Sequence, residues 1–394
     1  MNLESIRIKN FRTLHNAHLK EIPNFCVIVG ANGSGKSTLF QLFGFLRNAM
    51  KDNVSVALAK LGGNRGFQEV RSRNSSGPIE IELKFREAPK QPLITYILAI
   101  DEDENGPFVE REILRYRRLK ISQGQPWNFL NFSKGKGTAV VNEYDDVQDE
   151  KDLKRENQSL KSPDILAIKG LAQFENYPAV KALGELIENW HISDFHISEA
   201  RKESEVGYAE HLSPSGDNLP LVTQFLYKKH KLVLDEILET MSHRVPGIRS
   251  VVLKETEEGK VLLRFHDSSF KEPFLSRFVS DGTIKMFAYL VLLKDPKPHP
   301  LLCVEEPENQ LYPKLLVELA EEFRAYAKKG TQVFVSTHSP DFLDAIQLDE
   351  VFYLAKKDGY STIHRANGID SVRAMMKIGI HFIQVIAIYS VLQT

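Results

Sequence analysis

The chain has 394 residues, more than one hydrophobic core usually serves, so two lobes are expected. Hydrophobic residues make up 42% and charged residues 26% of the sequence, which is the composition of an ordinary soluble globular protein. Lys and Arg number 51 and Asp and Glu 52, which excludes a global charge that would draw the protein onto nucleic acid or membrane. Any such contact must come from a local patch.

The two cysteines, Cys26 and Cys303, both lie in apolar runs. This placement indicates packing, and nothing suggests a disulfide or a Cys-x-x-Cys metal site. Residues 1–7 lack the continuous apolar core of a secretory signal, and we expect a cytoplasmic protein with no membrane segment. Residues 378–394 contain no Asp, Glu, Lys or Arg but are too short and broken to span a bilayer. Packing against the body and an altered C-terminus both remain open for this tail.

The first part of the chain predicts strands, a glycine-rich loop and a helix. Residues 3–8 alternate as a half-buried strand, and a second short strand is expected around 18–22. The apolar run 25–29 precedes the glycine-rich stretch, and a helical pattern follows it to about residue 50. Residues 60–66 are glycine-rich and are predicted to form a loop.

The stretch between that strand and helix, GANGSGKST at 30–38, has the pattern G-x-x-x-x-G-K-[ST] of a phosphate-binding loop. Its glycines let the backbone curl until N–H groups point at a polyphosphate, and the positive helix end adds to that field. Lys36 is expected to reach the terminal phosphates, and the Ser37 hydroxyl to bind Mg²⁺. The predicted nucleotide-binding residues are Gly30, Asn32, Gly33, Ser34, Gly35, Lys36, Ser37 and Thr38.

The middle of the chain reads as a different kind of structure. Strands are expected at 79–85, 93–100 and 108–118, the last two joined by an Asn-Gly hairpin whose acidic residues 101–104 form a solvated turn. The polar stretch 124–163 is expected to be a surface insertion or a partly mobile loop, densest in charge at 143–155. Helical spacing follows at 179–190 and 221–241, and then a strand pair at 248–255 and 261–267.

A regular alternation of helices and strands returns after residue 277. Helices are expected at 284–293, 314–327 and 341–346, and strands at 301–304, 332–335 and 351–355. The sequence therefore predicts an α/β P-loop NTPase fold whose two parts are separated by an α+β insertion lobe. The predicted divisions are 1–90 and 277–377 for the head, 91–276 for the insertion lobe, and 378–394 for the apolar tail.

Acidic residues and a histidine follow two of these apolar strands. Glu305 and Glu306 come directly after the run 301–304, where a nucleotide hydrolase needs one carboxylate beside Mg²⁺ and another to hold the attacking water. We assign Glu305 to the metal and Glu306 to the water. His338 follows the next buried strand, at the same sheet edge as the phosphate loop, and is placed to hydrogen-bond the γ-phosphate. The predicted catalytic residues are Glu306, His338 and Lys36.

A second anion site is predicted at Ser280 and Gly282, immediately before a helix. One chain cannot easily use two such sites on one nucleotide. A head-to-tail pair, in which this segment closes over the nucleotide of a second copy, is the economical solution.

The order of these motifs resembles the ABC-type ATPase head, and more closely the SMC, RecF and OLD-like AAA ATPases. The opening IRIKNFR at 6–12 and the phrase EEPEN at 305–309 match that group in particular. The resemblance is strong over residues 1–50 and 277–356 and loose between them. Asp281 and Thr283 depart from the usual signature sequence, and Glu305 replaces the more common Asp. Neither an SMC coiled coil nor a Toprim nuclease is recognised.

The resemblance implies ATP and Mg²⁺ as cofactors and a homodimer around two ATP molecules. It further implies that Ser280 and Gly282 act in trans as the signature loop, that residues 309–312 cross the dimer interface, and that His338 is the switch histidine. For the glutamine-loop residue, Gln68 is a candidate, and a purely structural role for it is equally open.

Two functions follow from the resemblance. One is a DNA-linked ATPase in repair or recombination, for which a basic strand could track phosphates or simply be a solvated sheet edge. Its residues are Arg111, Arg115, Arg117, Arg118 and Lys120. The alternative is a regulatory ATPase subunit of an anti-phage defence or toxin system that controls a separate nuclease effector. A membrane transporter is not favoured, because the sequence has no spanning segment. A small-molecule kinase is not favoured either, because it would not explain Ser280, Gly282 or His338.

Overall fold

A computed structural model of the protein describes residues 2–86, 88, 90–117, 125–143, 147, 149–370 and 372. Within these ranges the chain forms three β-sheets, with helices packed between and around them. The predicted apolar tail 378–394 lies outside the described residues, as do Arg118 and Lys120 of the basic strand.

The strands of the described ranges are numbered in chain order. They are β1 Asn2–Phe11, β2 Leu14–Lys20, β3 Phe25–Gly30, β4 Ile79–Arg86, β5 Ile94–Asp103, β6 Gly106–Tyr116, β7 Trp127–Ser133, β8 Lys136–Val140, β9 Arg155–Ser159, β10 His191–Ser193, β11 Ser204–Glu205, β12 Ile248–Glu255, β13 Lys260–Asp267, β14 Phe274–Leu275, β15 Leu301–Glu305, β16 Gln332–Ser336, β17 Val351–Lys357 and β18 Tyr360–Arg365.

The α-helices of the same ranges are numbered likewise, and short 3₁₀ turns connect several of these elements. The helices are α1 Lys36–Lys51, α2 Val54–Gly62, α3 Gly66–Val70, α4 Ala167–Leu171, α5 Pro178–Glu188, α6 Ile197–Ala200, α7 Leu219–Lys229, α8 Lys231–Arg244, α9 Asp281–Leu293, α10 Pro313–Ala327 and α11 Pro340–Leu343. None of the helices described is both long enough and apolar enough to span a lipid bilayer.

The six-stranded sheet, called the central sheet below, carries the phosphate loop. Its order is β10-β15-β16-β3-β17-β18, and its first five strands are parallel to one another, whereas β18 runs antiparallel to β17. Residues 25–29 of β3 are all buried, as expected for a parallel strand covered on both faces. Because parallel strands end at one edge, the loops after β3, β15 and β16 lie side by side.

The other two sheets are antiparallel. The larger has eight strands in the order β2-β1-β4-β5-β6-β7-β8-β9, and the smaller has β13 between β11 and β12, with β14 also on β13. A small core of Trp127, Phe129, Val140 and Leu153 stabilises the far end of the larger sheet.

The central sheet is the middle layer of the molecule. Cys26 and Ile28 of β3 point into a core shared with α1 and the eight-stranded sheet. Phe25, Val27 and Val29 alternate onto the other face, where α9 and α10 pack. This alternation buries both faces of β3 and holds the loop that follows it between two packed layers.

Most predicted elements are confirmed by the structure. The predicted strands at 3–8, 25–29 and 301–304 correspond to β1, β3 and β15, and the Asn-Gly hairpin joins β5 to β6. The predicted helix before residue 50 corresponds to α1 and the one at 284–293 to α9. The two cysteines are buried and unpaired, as predicted.

Three predictions of local structure were wrong. Residues 60–66 are largely helical, because α2 is capped by the Asn53 side chain and Gly66 provides close packing, with a Cβ there 2.8 Å from the carbonyl carbon of Leu58. The polar stretch 124–163 contributes β7, β8 and β9 to the larger sheet. The helix expected at 221–241 is two helices, α7 and α8, that meet at His230.

Strand β6, which carries Arg111 and Arg115 of the predicted basic strand, lies between β5 and β7 and is therefore not a sheet edge. The predicted division at residue 90 falls between β4 and β5, which pair from Ile79↔Ile100 to Phe85↔Ile94. Strand β10, from within the predicted insertion lobe, belongs to the central sheet. The division of the chain into lobes stays a prediction.

Candidate nucleotide site

The phosphate loop leads from β3 into the first turn of α1, and two of its glycines are required by their surroundings. Gly33 and Gly35 have φ of 77° and 104°, in the region that favours glycine. At Gly30 a Cβ would lie 2.4 Å from the carbonyl oxygen of Leu354, and at Gly35 it would lie 2.2 Å from Ser361 Oγ. The neighbouring strands β17 and β18 therefore press directly against the loop.

Lys36 lies over this loop. Its Nζ donates to the carbonyl oxygen of Gly30 at 2.8 Å and approaches that of Ala31 at 3.4 Å. Burial lowers the pKa of Lys36, and the charges of Glu306, Glu308 and Glu305 oppose that shift. The ammonium group is thus held at the loop, beside three carboxylates.

The other predicted loop residues differ in their exposure. Ser34 is buried, and none of the described residues gives its Oγ a hydrogen-bond partner. Thr38 is also buried, and its Oγ1 lies 3.4 Å from Thr13 Oγ1 in the turn between β1 and β2. Asn32 is exposed on the loop.

Ser37 and Glu305 meet across the gap between the phosphate loop and the end of β15. Burial raises the pKa of Glu305, helped by the negative charges of Glu306 and Asp194, whereas interaction with the Ser37 hydroxyl lowers it. A hydroxyl and a carboxylate side by side offer the oxygen ligands that Mg²⁺ prefers.

Glu306 adopts an unusual backbone conformation, with φ of 44°. Its N–H donates to the carbonyl oxygen of Ser336 at 2.9 Å. Its carboxylate accepts from Asn309 Nδ2 at 3.1 Å and lies 3.4 Å from His338 Nδ1. The structure therefore brings two of the three predicted catalytic side chains, Glu306 and His338, together.

Glu308 is a residue that the sequence analysis missed. Its Oε1 accepts from Thr337 Oγ1 at 2.9 Å and from the backbone N–H of His338 at 3.0 Å. Its Oε2 is buried and has no hydrogen-bond partner among the residues that the structure describes. Glu308 thus positions the segment that carries His338. The signal was present in the sequence, because it is the third acid in the EEPE phrase.

Ser280 and Gly282 lie at the start of α9, packed against the 309–312 loop. The Ser280 side chain accepts from Thr283 N at 3.3 Å and caps the helix. A Cβ on Gly282 would lie 3.0 Å from the carbonyl oxygen of Gln310. Phe278 and Tyr312, on either side, are 68% and 63% exposed. Arg201, which the sequence analysis did not single out, hydrogen-bonds the Asp281 carboxylate.

A cavity of about 990 Å³ opens beside the loop, and Ser37, Glu305 and Glu306 line it. Lys285 of α9 lines it too, donating from Nζ to the carbonyl oxygen of Asn309 at 2.6 Å. Burial lowers the pKa of Lys285 to about 8. A lone charge inside the apolar pattern of this helix was the signal that could have revealed it.

Ser280 and Gly282 do not line this cavity, although both are described. Gln68 does not line it either, and its Nε2 donates to Glu102 at 3.4 Å. Gln41 of α1 does line the cavity, and its Oε1 accepts from Arg12 at 2.6 Å.

The side chains at this edge suit a magnesium-bound nucleoside triphosphate. Three buried polar atoms, Ser34 Oγ, Ser336 Oγ and Glu308 Oε2, have no hydrogen-bond partner within the described residues. Buried polar groups usually have a partner, so their lack of one is consistent with a polar ligand at the loop. The arrangement combines a phosphate loop, a metal-type ligand pair and a carboxylate placed for proton transfer.

Two solved structures are similar to the chain over most of its length. One is an SMC head bound to the C-terminal winged-helix domain of ScpA, with a TM-score of 0.58 and 14% identity, covering 92% of this chain and 98% of the other. The second is a Pyrococcus furiosus SMC head with an extended coiled coil, bound to the C-terminal domain of ScpA, with a TM-score of 0.50 and 15% identity, covering 95% and 98%. At these identities the likeness shows the fold, which is that of a P-loop NTPase.

A search of curated proteins finds no match. A family model described as "AAA domain, putative AbiEii toxin, Type IV TA system" matches residues 25–344, which include the phosphate loop, Glu305, Glu306 and His338. The fold is that of the SMC head, and with this family match over most of its length the chain belongs to that AAA family.

Proposed function

We propose that this protein binds ATP with Mg²⁺ and hydrolyses it to ADP and phosphate, in a site completed by a second copy of the chain. The observation that carries the proposal is the meeting of Ser37 with Glu305, beside Glu306 and His338, at the mouth of the phosphate loop. These four side chains come from three separate segments of sequence, and parallel strand order brings them together.

Each residue has a role that its contacts support. The loop backbone and Lys36 bind the phosphates, and Ser37 and Glu305 hold the metal. When bound, Mg²⁺ neutralises negative charge on the phosphates. Glu306 orients a water molecule and takes its proton, and Asn309 holds the carboxylate through the 3.1 Å hydrogen bond. His338, positioned by Glu308, contacts the terminal phosphate.

The second copy is proposed from the position of Ser280 and Gly282. Both lie at a helix start packed against the 309–312 loop, and neither lines the cavity beside Ser37 in its own chain. Free N–H groups at a helix start attract anions. In a head-to-tail pair this end of α9 would face the nucleotide of the partner, with exposed Phe278 and Tyr312 at the contact.

Phosphate release and nucleotide binding test the catalytic assignment. Lys36→Ala should weaken ATP binding, because it removes the cation held at the loop. Glu306→Gln should leave binding within about twofold and lower turnover by about 10²–10⁴-fold, the range expected for loss of a general base. Glu236→Gln, an exposed site on α8, is the matched control and should match wild type. Wild-type turnover in Glu306→Gln would remove Glu306 from this role.

The family match favours a regulatory role, in which the ATPase controls another protein. The matched family is described in terms of a toxin–antitoxin system, which supports a proposal that ATP binding here holds or releases a separate effector, such as a nuclease. Co-purification of one defined partner whose retention changes between ATP and ADP would support it. Identical retention in both nucleotides would count against it.

A DNA-linked role in repair or recombination is the second candidate. Arg111 and Arg115 lie on β6 and Arg117 directly follows it, but Arg111 pairs with Glu80 at 3.4 Å, so part of the charge is neutralised. Replacing these three arginines with Gln should lower duplex DNA affinity and reduce its salt dependence if the strand contacts phosphates. If neither the affinity for duplex DNA nor its salt dependence changes, this surface does not bind DNA.

A further inference from the structure

A second cluster of metal-binding side chains lies at the end of the central sheet opposite the phosphate loop. His211, Asp295 and His299 each offer one ligand atom, and these atoms all lie within 4.8 Å of one another. Asp295 and His299 belong to the turn between α9 and β15, and His211 to the segment between β11 and α7. The cluster shares no residue with the nucleotide cavity.

The carboxylate of the cluster is already oriented. Asp295 is 8% exposed, and its Oδ1 accepts from the backbone N–H of Lys297 at 2.8 Å. Its Oδ2 lies 2.7 Å from His211 Nδ1. The segment carrying His211 is held in turn, because the carbonyl oxygen of His211 accepts from Asn218 Nδ2 at 3.0 Å. Oδ1 thus holds the turn through the backbone of Lys297, and Oδ2 faces the histidines.

His299 presents a free lone pair. Its Nδ1 lies 3.2 Å from the carbonyl oxygen of Asn189, which can only accept, so Nδ1 carries the proton. The neutral ring then has its lone pair on Nε2, and this atom is buried with no hydrogen-bond partner among the described residues. An Nδ1–H bond to a backbone carbonyl is the outer contact that metal-bound histidines commonly make. An ion pair between His211 and Asp295 alone leaves His299 Nε2 unexplained.

The surroundings leave room for a further ligand. A cavity of about 480 Å³ is lined by His211 and His299, and by the carboxylate residue Glu185 of α5. His191 packs against His299 with ring centroids 4.7 Å apart, and its buried Nε2 also lacks a hydrogen-bond partner in the part of the chain that the structure describes.

We propose that His211, Asp295 and His299 bind a divalent transition-metal ion, for which Zn²⁺ is the best match, with water as the fourth ligand. Two imidazole nitrogens and one carboxylate are a zinc-type set, whereas Mg²⁺ and Ca²⁺ prefer oxygen ligands throughout. Ligand atoms in a tetrahedral zinc site lie about 3.3 Å apart. Side-chain rotations that move each ligand atom by about 1 Å would therefore bring the three atoms to this spacing. The ion replaces the proton shared by His211 and Asp295, and that proton leaves to solvent.

Such an ion would join the turn after α9 to the segment that precedes α7. Because α9 carries Ser280 at its other end, the site would brace the helix that presents the proposed signature loop. The role is structural, since the cluster stands apart from Ser37 and Glu305.

Zinc titration of the full chain tests the site. Protein freed of metal with a chelator is titrated with ZnCl₂ in excess Mg²⁺ against a chromophoric competitor. Wild type should bind one Zn²⁺ per chain, and Asp295→Asn and His299→Ala should each weaken binding at least tenfold. His243→Ala, at an exposed histidine on α8, is the matched control and should match wild type.

Asp295→Asn keeps the shape of the side chain and the acceptor for Lys297, so it should preserve the fold, which circular dichroism checks. Zn²⁺ should raise the Tm of wild type and His243→Ala but not of Asp295→Asn. Wild-type affinity in both cluster variants, or no zinc binding by wild type, would overturn the proposal. Zinc binding lost only in His338→Ala would place the ion at the nucleotide cavity and overturn it as well.

Discussion

Gly33 and Gly35 share a left-handed backbone but differ in what surrounds them. A Cβ at Gly33 would meet no atom within 4 Å, whereas one at Gly35 would lie 2.2 Å from Ser361 Oγ and 2.8 Å from Thr13 Oγ1. We expect Gly33→Ala to lower the free energy of unfolding by about 1–2 kcal/mol from backbone strain alone. Gly35→Ala should cost about 2–4 kcal/mol, because overpacking adds to the same strain.

Urea unfolding of the two variants without nucleotide measures this difference. Nucleotide is left out so that only the fold is compared. Equal losses in the two variants would show that β18 does not press against the loop as described.

Glu112 makes stability depend on pH. It is fully buried on β6, and it accepts from the backbone N–H groups of Ala167 and Ile168 at 2.5 and 3.0 Å and from Tyr96 Oη at 3.0 Å. Burial raises the pKa of Glu112 from 4.5 to about 7, although these three hydrogen bonds act in the opposite direction. The folded protein therefore binds more protons than the unfolded chain between these two values.

Stability should fall as pH rises through that window, because folding keeps a proton that the unfolded chain releases. Relative to Glu112→Gln, wild type should lose up to about 3 kcal/mol of unfolding free energy between pH 4.5 and pH 8. Urea unfolding of both proteins across this range gives the difference. A parallel pH profile in the two proteins would contradict a raised pKa at Glu112.

Site residues followed from the sequence where a motif dictates the local backbone. Lys36, Ser37 and Glu305 each stand at a fixed offset from the end of an apolar strand, and strand order then brings them together. Glu308 and Lys285 were missed, because their importance comes from contacts with Thr337, His338 and Asn309 rather than from spacing.

Helix α9 has no polar face, so it lacks the amphipathic spacing by which surface helices are predicted. Every residue from Thr283 to Leu293 is buried, so the helix is enclosed on all sides. Phe287 is fully buried and contacts Phe265 of β13 edge to face, with ring centroids 5.6 Å apart. This contact joins the helix to the smaller sheet.

Phe287→Ala should lower the free energy of unfolding by about 3–5 kcal/mol, because it leaves a cavity between α9 and β13. Val317→Ala, at a 38% exposed position on α10, is the matched control and should cost less than about 1 kcal/mol. Thermal or urea unfolding measures both. A loss below 1 kcal/mol at Phe287 would contradict the packing of α9 on the smaller sheet.

Elements that the sequence did not predict have identifiable causes. Residues 127–140 are rich in Asn, Gly and Lys, which resemble loop composition, and their strand character comes from pairing in the larger sheet and from the core around Trp127. The break at His230 lies inside a continuous helical pattern, so spacing alone could not reveal it. Strand β10 has three residues, too few for any periodicity.

For the whole molecule, sequence predicts the fold class but not the sheet order. The central sheet places β3, from the start of the chain, between β16 and β17, from its end. This non-local pairing follows from burial of both faces of β3, and no local pattern encodes it. The phosphate loop is consequently held by strands more than 300 residues away, and its geometry depends on the complete head.

We propose that one chain forms only half of a working site. Light scattering of Glu306→Gln during size-exclusion chromatography tests it most directly, once with ATP and Mg²⁺ and once with ADP. The double variant Lys36→Ala, Glu306→Gln is the control, because it should not bind ATP. The molecular mass should double with ATP alone and should not double in the double variant. A mass that stays that of one chain with ATP bound would contradict it.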